Sequence, residues 1–489
     1  MVSDRGLDPV IGLEIHVQLS TRTKMFCACA LSFGKEPNTR TCPVCLGHPG
    51  TLPTLNAEAV HYGLMIGLAL GCEIAPRSIF HRKNYFYPDL PKGYQISQYD
   101  IPLAERGSLT VPGGPTVQIT RVHLEEDAAK LVHLGESGRI HGAGESIVDF
   151  NRGGTPLVEI VTEPDLRSAS DAKDFLQLLR TTLKQIGVSD VNMEEGSLRC
   201  DANVSVRERG EQGYRTKTEL KNMNSFRFVE RGIAAEVERQ SELWHSGEGV
   251  TQETLHFDPT TGSLTALRSK EEVHDYRYFP EPDLVPLVPT EAMLERAHAA
   301  LPELPAARLE RFAADYSLEP ETASVLVTWA ELGSFYEEAL SAGDGGGPSP
   351  KALARWVTGE LVARLREEGV GDPRASKLTP AALSDLVAMV ERKALSQSAA
   401  KEVLAELTRS GGDPRAIVES RGLAPISDSA ELEAIVERAI ESDPDAVAQI
   451  RAGKQQAIGA IIGLVMRETK GRADGSEVTR IVREKLDIS

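Results

Sequence analysis

A strict alternation of apolar and polar residues marks one stretch of the chain as a β-strand. Its apolar positions are Leu198, Cys200, Ala202, Val204 and Val206, and its polar positions are Arg199, Asp201, Asn203, Ser205 and Arg207. A period of two predicts a half-buried strand. We interpret its polar face either as an exposed face with cross-strand ion pairs or as the floor of a site for a cation and a polyanion.

The same alternation predicts a second strand over residues 10–20. Its apolar positions are Ile11, Leu13, Ile15, Val17 and Leu19. Glu14 and His16 therefore project from one face, about 7 Å apart by the strand rise. A carboxylate and an imidazole at this spacing suit a divalent cation, although a Glu–His hydrogen bond is as common. Gly12, on the same face, leaves room for a ligand to approach the backbone.

A third strand is predicted over residues 117–127, and it ends in three acidic residues. The two-residue alternation of side chains places Glu125 on the same face as His123, and Glu126 on the opposite face with apolar neighbours. A carboxylate on an apolar face is costly unless it meets a metal or another cation. We therefore predict Glu126 as the inner metal ligand with Glu125 close by, provided that no bulge shifts the register.

Four of the six cysteines have the spacing of a metal site. Cys27 and Cys29 form one close pair, Cys42 and Cys45 form another, and twelve residues separate the pairs. Two such pairs suit tetrahedral Zn²⁺, although unrelated buried or redox-active cysteines remain an alternative. Because four thiolates leave no open coordination position, this zinc is expected to be structural. Cys200 is expected in the core.

The stretch from residue 80 to 95 is both basic and aromatic, with turn residues inside. Arg82, Lys83, Tyr85 and Lys92 are its candidates for holding phosphates and stacking on a ring. The alternative is an aromatic loop that only packs on the sheet.

From about residue 290 the period of two gives way to helical patterns. Flexible breaks at 342–348 and 411–414 suggest three domains, over residues 1–292, 293–410 and 411–489. In residues 451–489, eight Lys and Arg outnumber five Asp and Glu, so this tail could face phosphates. The basic residues singled out are Lys454, Arg467, Lys470, Arg472, Arg480, Arg483 and Lys485. An ordinary solvated helix face is the alternative.

Composition narrows the class of protein. The net charge is −18 and the pI about 5.2, so the chain is no globally basic nucleic-acid binder, and any such contact must come from a local patch. The first residues lack the apolar core of a signal peptide and no stretch approaches a membrane span, so we expect a cytoplasmic protein. The absence of GxxxxGK[ST] argues against an ordinary P-loop kinase.

Five segments together resemble the B subunits of the bacterial aspartyl/glutamyl-tRNA(Asn/Gln) amidotransferases. They are Ile11–His16, Arg82–Asp89, Glu194–Asn203, Glu219–Asn222 and Tyr278–Asp283. The resemblance implies ATP-dependent phosphorylation of the side-chain carboxylate of Glu or Asp misacylated onto tRNA(Gln) or tRNA(Asn). Ammonia then displaces the phosphate. It also implies a heterotrimer with a glutaminase A subunit of the amidase type, which supplies the ammonia, and a small C subunit.

The resemblance further implies an α+β fold. An antiparallel-sheet catalytic cradle, similar to glutamine synthetase and the guanidino kinases, is followed by two all-helical domains that hold the tRNA. It implies Mg²⁺ ligands at Glu14, His16, Glu126 and Asp201, and some members of the family lack the zinc cysteines. We add Glu125, Glu126 and Lys83 as catalytic candidates.

The candidates for contacting ATP are those of the 80–95 stretch together with Arg199. The alternative function is a non-catalytic, zinc-stabilised tRNA-binding scaffold. A nearer alternative, an archaeal relative restricted to Glu-tRNA, carries an inserted domain for which residues 222–290 leave no room. Whether Glu-tRNA, Asp-tRNA or both are substrates stays open.

Overall fold

The computed structural model divides into two compact units, residues 1–307 and 308–489. It describes residues 6–31, 34–134, 144–269, 275–343, 346–423, 429–451, 455–469, 472–473 and 475–486. Within these ranges no helix is long and apolar enough to cross a membrane.

The first unit contains fourteen strands and four helices over its described residues. The strands are β1 Leu7–Gln18, β2 Glu73–Ile74, β3 Phe80–Asn84, β4 Tyr94–Gln98, β5 Ala104–Thr110, β6 Thr116–Glu126, β7 Lys130–Leu134, β8 Glu145–Asp149, β9 Pro156–Thr162, β10 Leu198–Glu208, β11 Thr218–Lys221, β12 Glu253–Phe257, β13 Leu264–Ser269 and β14 Phe279–Pro280. The helices are α1 Ala57–Ala69, α2 Ala169–Gln185, α3 Phe226–Ser246 and α4 Glu291–Ala300.

One large sheet dominates this unit, with the strand order β13-β12-β11-β10-β1-β9-β6-β4-β3-β14. Strand β5 also pairs with β6, and β2 pairs with β5, while β7 and β8 form a separate hairpin. Neighbours are antiparallel except for the parallel pair β11–β12. The predicted α+β class is therefore confirmed, with a mixed rather than purely antiparallel sheet.

The three strands predicted from alternation are all present, as β1, β6 and β10. The five apolar positions of β10 are each at most 3% exposed, as expected for a half-buried strand. They share one core with Ile15 of β1 and with helices α1, α2 and α3. Helix α2 begins where the Ser168 hydroxyl accepts a hydrogen bond from the Asp171 amide at 3.0 Å, which is a standard N-cap. The helices thus cover the apolar face and leave the polar face of the sheet for chemistry.

The second unit contains helices and no β-strand over its described residues. Helix α5 Pro305–Tyr316 begins just before the boundary between the units. The helices that follow are α6 Pro320–Thr328, α7 Ala330–Ser341, α8 Pro350–Trp356, α9 Val362–Glu367, α10 Pro380–Glu391, α11 Gln397–Ser410, α12 Pro414–Arg421, α13 Ser429–Ser442, α14 Pro444–Arg451, α15 Ile458–Glu468 and α16 Gly475–Lys485. A π-helical segment, Val357–Leu361, connects α8 to α9, and short 3₁₀ helices lie at Pro373–Ala375 and Gln455–Ala457. Helices α5 to α12 share one apolar core, and α13 to α16 share another.

Candidate functional site

Four polar side chains lie in a row across the middle of the sheet. Arg199 on β10 is opposite His16 on β1, His16 is opposite Glu159 on β9, and Glu159 is opposite His123 on β6. Directly paired residues in antiparallel strands project to the same face. The row therefore joins two histidines, a carboxylate and a guanidinium that are far apart in the chain.

The carboxylate of Glu125 completes a compact cluster beside this row. His16 Nε2 lies 3.4 Å from Glu159 Oε2 and 3.9 Å from Glu125 Oε1. His123 Nε2 lies 3.4 Å from Glu159 Oε2 and 3.7 Å from Glu125 Oε2. One ligand atom each from His16, Glu125 and Glu159 can be chosen so that all lie within 4.8 Å of one another. This cluster could hold a divalent cation.

The electrostatics of the cluster keep both carboxylates ionised. Burial would raise the pKa of Glu125 and Glu159, but hydrogen bonds and charges from the two histidines outweigh it and lower both values. Burial would likewise lower the pKa of His123, but Glu159 and Glu125 raise it to about 9. Two ionised carboxylates thus share this buried cluster with the two histidines.

Glu126 lies away from this cluster, on the other face of β6. It accepts a hydrogen bond from the Ile96 amide at 3.0 Å and pairs closely with the Lys92 ammonium. The parity argument is confirmed, because Glu126 does sit on the apolar side and does meet a cation. The cation is a lysine, so a place for Glu126 among the metal ligands stays a prediction.

Glu14 and Asp201 share the polar face with His16 but not its cluster. They are opposite each other on β1 and β10. Glu14 accepts a hydrogen bond from Asn203 Nδ2 at 2.9 Å, and Asp201 accepts one from Lys221 Nζ at 2.7 Å. Of the four predicted Mg²⁺ ligands, the structure therefore places three on one face and none in direct contact with Glu126.

Lys83 is the basic residue of the 80–95 stretch that faces the carboxylate cluster. Burial would lower the pKa of its ammonium, but the charge of Glu125, followed by smaller contributions from Tyr278 and Glu159, raises it. Its Nζ lies 4.9 Å from the centre of the Tyr276 ring. Tyr85 lies edge-on to the same ring, with centroids 6.1 Å apart.

The other three predicted ATP-binding cations already have carboxylate partners. Arg82 makes two hydrogen bonds to Glu281, at 2.7 and 2.8 Å. Arg199 donates to Asp127 Oδ1 at 2.9 Å, and Lys92 is held by Glu126. A polyphosphate that binds these three cations would have to compete with their carboxylate partners.

The four predicted zinc ligands come together as expected from their spacing. The sulfur atoms of Cys27, Cys29, Cys42 and Cys45 lie within 4.8 Å of one another. Tetrahedral Zn–S bonds of about 2.3 Å require sulfurs roughly 3.8 Å apart, so the cluster fits one metal ion. Cys200 is buried, in agreement with the prediction.

In the tail, several predicted phosphate-facing residues have acidic partners. Arg480 pairs with Glu477 and Glu484, each at 2.7 Å, and Lys485 pairs with Glu437. Lys454 and Lys470 lie outside the described residues. Among the residues that the structure covers, Arg467 and Arg483 are exposed and have no carboxylate within 4.0 Å.

Sequence reasoning missed Glu159 and passed over His123 as a site residue. The signal for Glu159 was present, because it is the one acid inside the apolar strand Pro156–Thr162. That is the same signal that selected Glu126. Which of the two acids, Glu126 or Glu159, belongs to the cluster follows from the pairing of β9 with both β1 and β6.

Fold and site together define an α+β protein with a buried cluster of histidines and carboxylates on the polar face of its sheet and a helical C-terminal unit. The model of the GatB/GatE catalytic domain matches residues 9–295, and that of the GatB domain matches residues 334–486. The chain belongs to the GatB/GatE family.

Curated relatives are named as the B subunit of aspartyl/glutamyl-tRNA(Asn/Gln) amidotransferase. The one from Anaeromyxobacter dehalogenans is 48% identical, covering 98% of both chains. Those from Persephonella marina and Carboxydothermus hydrogenoformans are each 46% identical, covering 98% and 99% of this chain and 99% of their own length. The resemblance noted from the sequence is therefore confirmed.

Proposed function

We propose that the chain activates the side-chain carboxylate of Glu-tRNA(Gln), Asp-tRNA(Asn) or both by phosphorylation with ATP, and that ammonia then converts it to the amide. The observation that carries this proposal is the buried cluster of His16, Glu125 and Glu159 with Lys83 beside it. The names of the curated relatives support the substrate class.

The chemistry of the reaction explains why such a cluster is needed. A carboxylate reacts poorly with ammonia until one of its oxygens becomes a phosphate leaving group. Phosphoryl transfer needs little covalent help from the protein, and depends mainly on Mg²⁺ and fixed cations that offset the charge of the phosphate oxygens. We propose that His16, Glu125 and Glu159 hold Mg²⁺, and that Lys83 neutralises the transferred phosphoryl group.

The ligand set implied by family resemblance remains the rival assignment. In that set Glu126 takes the place of Glu125 and Glu159, while Glu14 and Asp201 join His16. Because Glu14 and Asp201 project from the same face as His16, both assignments put the reaction on this face. Arg199 and Tyr85 are kept as candidates for contacting the nucleotide.

The remaining features follow from the same proposal. The sheet unit is the catalytic cradle, related in fold to glutamine synthetase and the guanidino kinases, and Zn²⁺ in the four-cysteine site stabilises it. Residues 293–410 and 411–489 are helical domains that hold the tRNA. The relatives' names describe one component of a larger enzyme, which supports a complex with a glutaminase A subunit and a small C subunit. We place this complex in the cytoplasm, where aminoacyl-tRNA is used.

A non-catalytic tRNA-binding scaffold explains the site less well. A scaffold has no need for two ionised carboxylates in a buried cluster, because burying charge is costly unless it serves binding or catalysis.

The test is an amidation assay of the reconstituted complex on both misacylated tRNAs. ATP cleavage should depend on misacylated tRNA and Mg²⁺, and each tRNA that is a substrate should yield the amide. Under the rival ligand set, Asp201→Asn should strongly reduce formation of the activated ester while tRNA binding stays nearly intact, and Glu159→Gln should do so under the proposed set. Glu208→Gln, an exposed acid at the end of the same strand, is the matched control. ATP cleavage that ignores tRNA, or undiminished Glu159→Gln activity at limiting Mg²⁺, would contradict the proposal, whereas undiminished Asp201→Asn activity would contradict the rival ligand set.

A further inference from the structure

Lys24 is one of the most deeply buried charged residues in the structure. Only 1% of its surface is exposed. Its backbone amide donates to the Cys29 carbonyl at 3.0 Å, so the residue belongs to the same local structure as the four-cysteine site. A buried ammonium costs several kcal/mol unless a partner offsets its charge. The position of Lys24 therefore requires an explanation.

The Lys24 ammonium donates hydrogen bonds to two groups. Its Nζ lies 3.5 Å from Cys45 Sγ and 3.0 Å from the Phe150 carbonyl oxygen. No carboxylate lies within 4.0 Å of it in the part of the chain that the structure describes. The carbonyl is a neutral acceptor, so the nearest group that can carry a negative charge is the sulfur of Cys45.

The charge of a loaded four-cysteine site matches this need. Four thiolates and one Zn²⁺ carry a net charge of −2, and a dianion in a partly buried position is itself unfavourable. An ammonium at hydrogen-bond distance from one sulfur offsets about half of that charge. Groups around a metal site that hydrogen-bond to its ligands orient them and tune the affinity for the metal.

The second contact of Lys24 links the metal site to a turn beside the catalytic face. Phe150 precedes the turn that ends at Gly154, whose carbonyl accepts a hydrogen bond from the Met25 amide at 2.7 Å. A Cβ on Gly154 would lie 3.2 Å from Cδ of Lys24, so the aliphatic part of the Lys24 side chain packs closely against this turn. The Gly154 amide in turn donates to the carbonyl of Asp127 at 2.8 Å.

We propose that Lys24 is a positioning residue of the metal site: its ammonium offsets the charge of the zinc-bound thiolates and joins the loaded site to the Phe150–Gly154 turn. This inference rests on the proposal that the four cysteines bind zinc. It adds that zinc affinity depends on a fifth residue that is not a ligand, and that zinc occupancy steadies the turn.

The test compares Lys24→Met with the wild-type complex. Methionine keeps most of the apolar stem and removes the charge. Zinc dissociation constants are measured by competition with a chromophoric chelator, and backbone hydrogen exchange is followed over residues 145–154. We expect a roughly 10- to 100-fold weaker affinity for zinc and faster exchange in the turn of the zinc-loaded protein. Lys35→Met, which removes an exposed lysine between the two cysteine pairs, should leave both readouts unchanged.

The outcomes separate this inference from the zinc proposal. If the wild-type protein holds no zinc, both are wrong. If it holds zinc and Lys24→Met binds zinc with wild-type affinity, only the role of Lys24 is wrong. Should Lys24→Met fail to fold, Lys24→Gln, which is neutral but keeps an N–H donor for Phe150, carries the same expectation for zinc affinity. Lys24→Arg should restore affinity to near the wild-type value.

Discussion

Replacing Glu125 with Gln should weaken the cation site on the polar face of the sheet. Unit charges 4 Å apart interact by about 4 kcal/mol at an effective dielectric constant of about 20, and His16 Nε2 lies 3.9 Å from the Glu125 carboxylate. A cation in the cluster therefore loses a contribution of about this size. In the unaltered protein, protonated His123 already offsets part of the charge of Glu125. Removing that charge therefore costs cation binding less than the full amount, and we expect a net cost of about 2–3 kcal/mol. The Mg²⁺ concentration for half-maximal activity should rise roughly 30- to 150-fold.

The matched change Glu126→Gln should affect stability instead. The side chains of Lys92 and Glu126 are 9% and 5% exposed, and removing one partner of a buried ion pair costs about 3–5 kcal/mol. For a unit of this size that corresponds to a fall in Tm on the order of 5–10 °C. Because Lys92 rather than a metal faces this carboxylate, the Mg²⁺ requirement should change little.

The assay titrates Mg²⁺ at saturating ATP and misacylated tRNA, and thermal melts are recorded for the same preparations. Glu105→Gln, an acid on the neighbouring strand β5 that pairs with Arg106 in solvent, controls for the loss of a negative charge as such. The opposite pattern would refute this reasoning. If Glu126→Gln raises the Mg²⁺ requirement and Glu125→Gln does not, the ligand set implied by resemblance is correct.

Three further predictions concern zinc, pH and the tail. Protein prepared without chelator should contain about one Zn²⁺ per chain, and Cys42→Ser should lower Tm more than kcat; under about 0.2 zinc per chain by metal analysis would contradict this. With metal absent, the stability that His123 contributes is fully present below pH 6.5 and is lost as pH rises through about 9. His123→Gln should therefore flatten that decline in unfolding free energy, and equal slopes for the variant and the unaltered protein would refute this prediction. Arg467→Ala with Arg483→Ala should weaken tRNA binding and flatten its salt dependence by roughly 0.7–0.9 for every phosphate that is no longer bound, more than Arg480→Ala does; an unchanged salt slope would indicate a solvated face.

Local patterns predicted the strands well because alternation reports directly which side of a strand is buried. The strands β1, β6 and β10 follow the predicted parity, and the only irregularity in the pairing of β6 with β9 lies between Ile119 and Arg121, before the acidic residues. The clustering of the four cysteines was equally predictable, since they lie within nineteen consecutive residues, Cys27 to Cys45. In both cases the information is local.

The cluster of His16, Glu125 and Glu159 was only half predictable because its members meet through pairing between distant strands. His16 reaches Glu159 because β9 lies between β1 and β6, an order that no alternation pattern encodes. The apolar-side argument correctly found that Glu126 needs a cation, but it could not tell a metal from Lys92. That distinction depends on β4, whose Ile96 amide also binds the carboxylate.

The proton affinity of His16 affects how the cluster would bind a metal. Burial lowers the pKa of His16, but Glu159 and Glu125 outweigh this effect and raise it, so His16 holds a proton more strongly than an ordinary histidine does. A cation that uses His16 Nε2 must displace the proton there, whereas Glu125 and Glu159 are already ionised and need no deprotonation. Metal binding should therefore release a proton from histidine and strengthen as pH rises through the pKa of His16. The carboxylates are thus ionised before the metal arrives, so the change of buried charge on binding falls on the histidine.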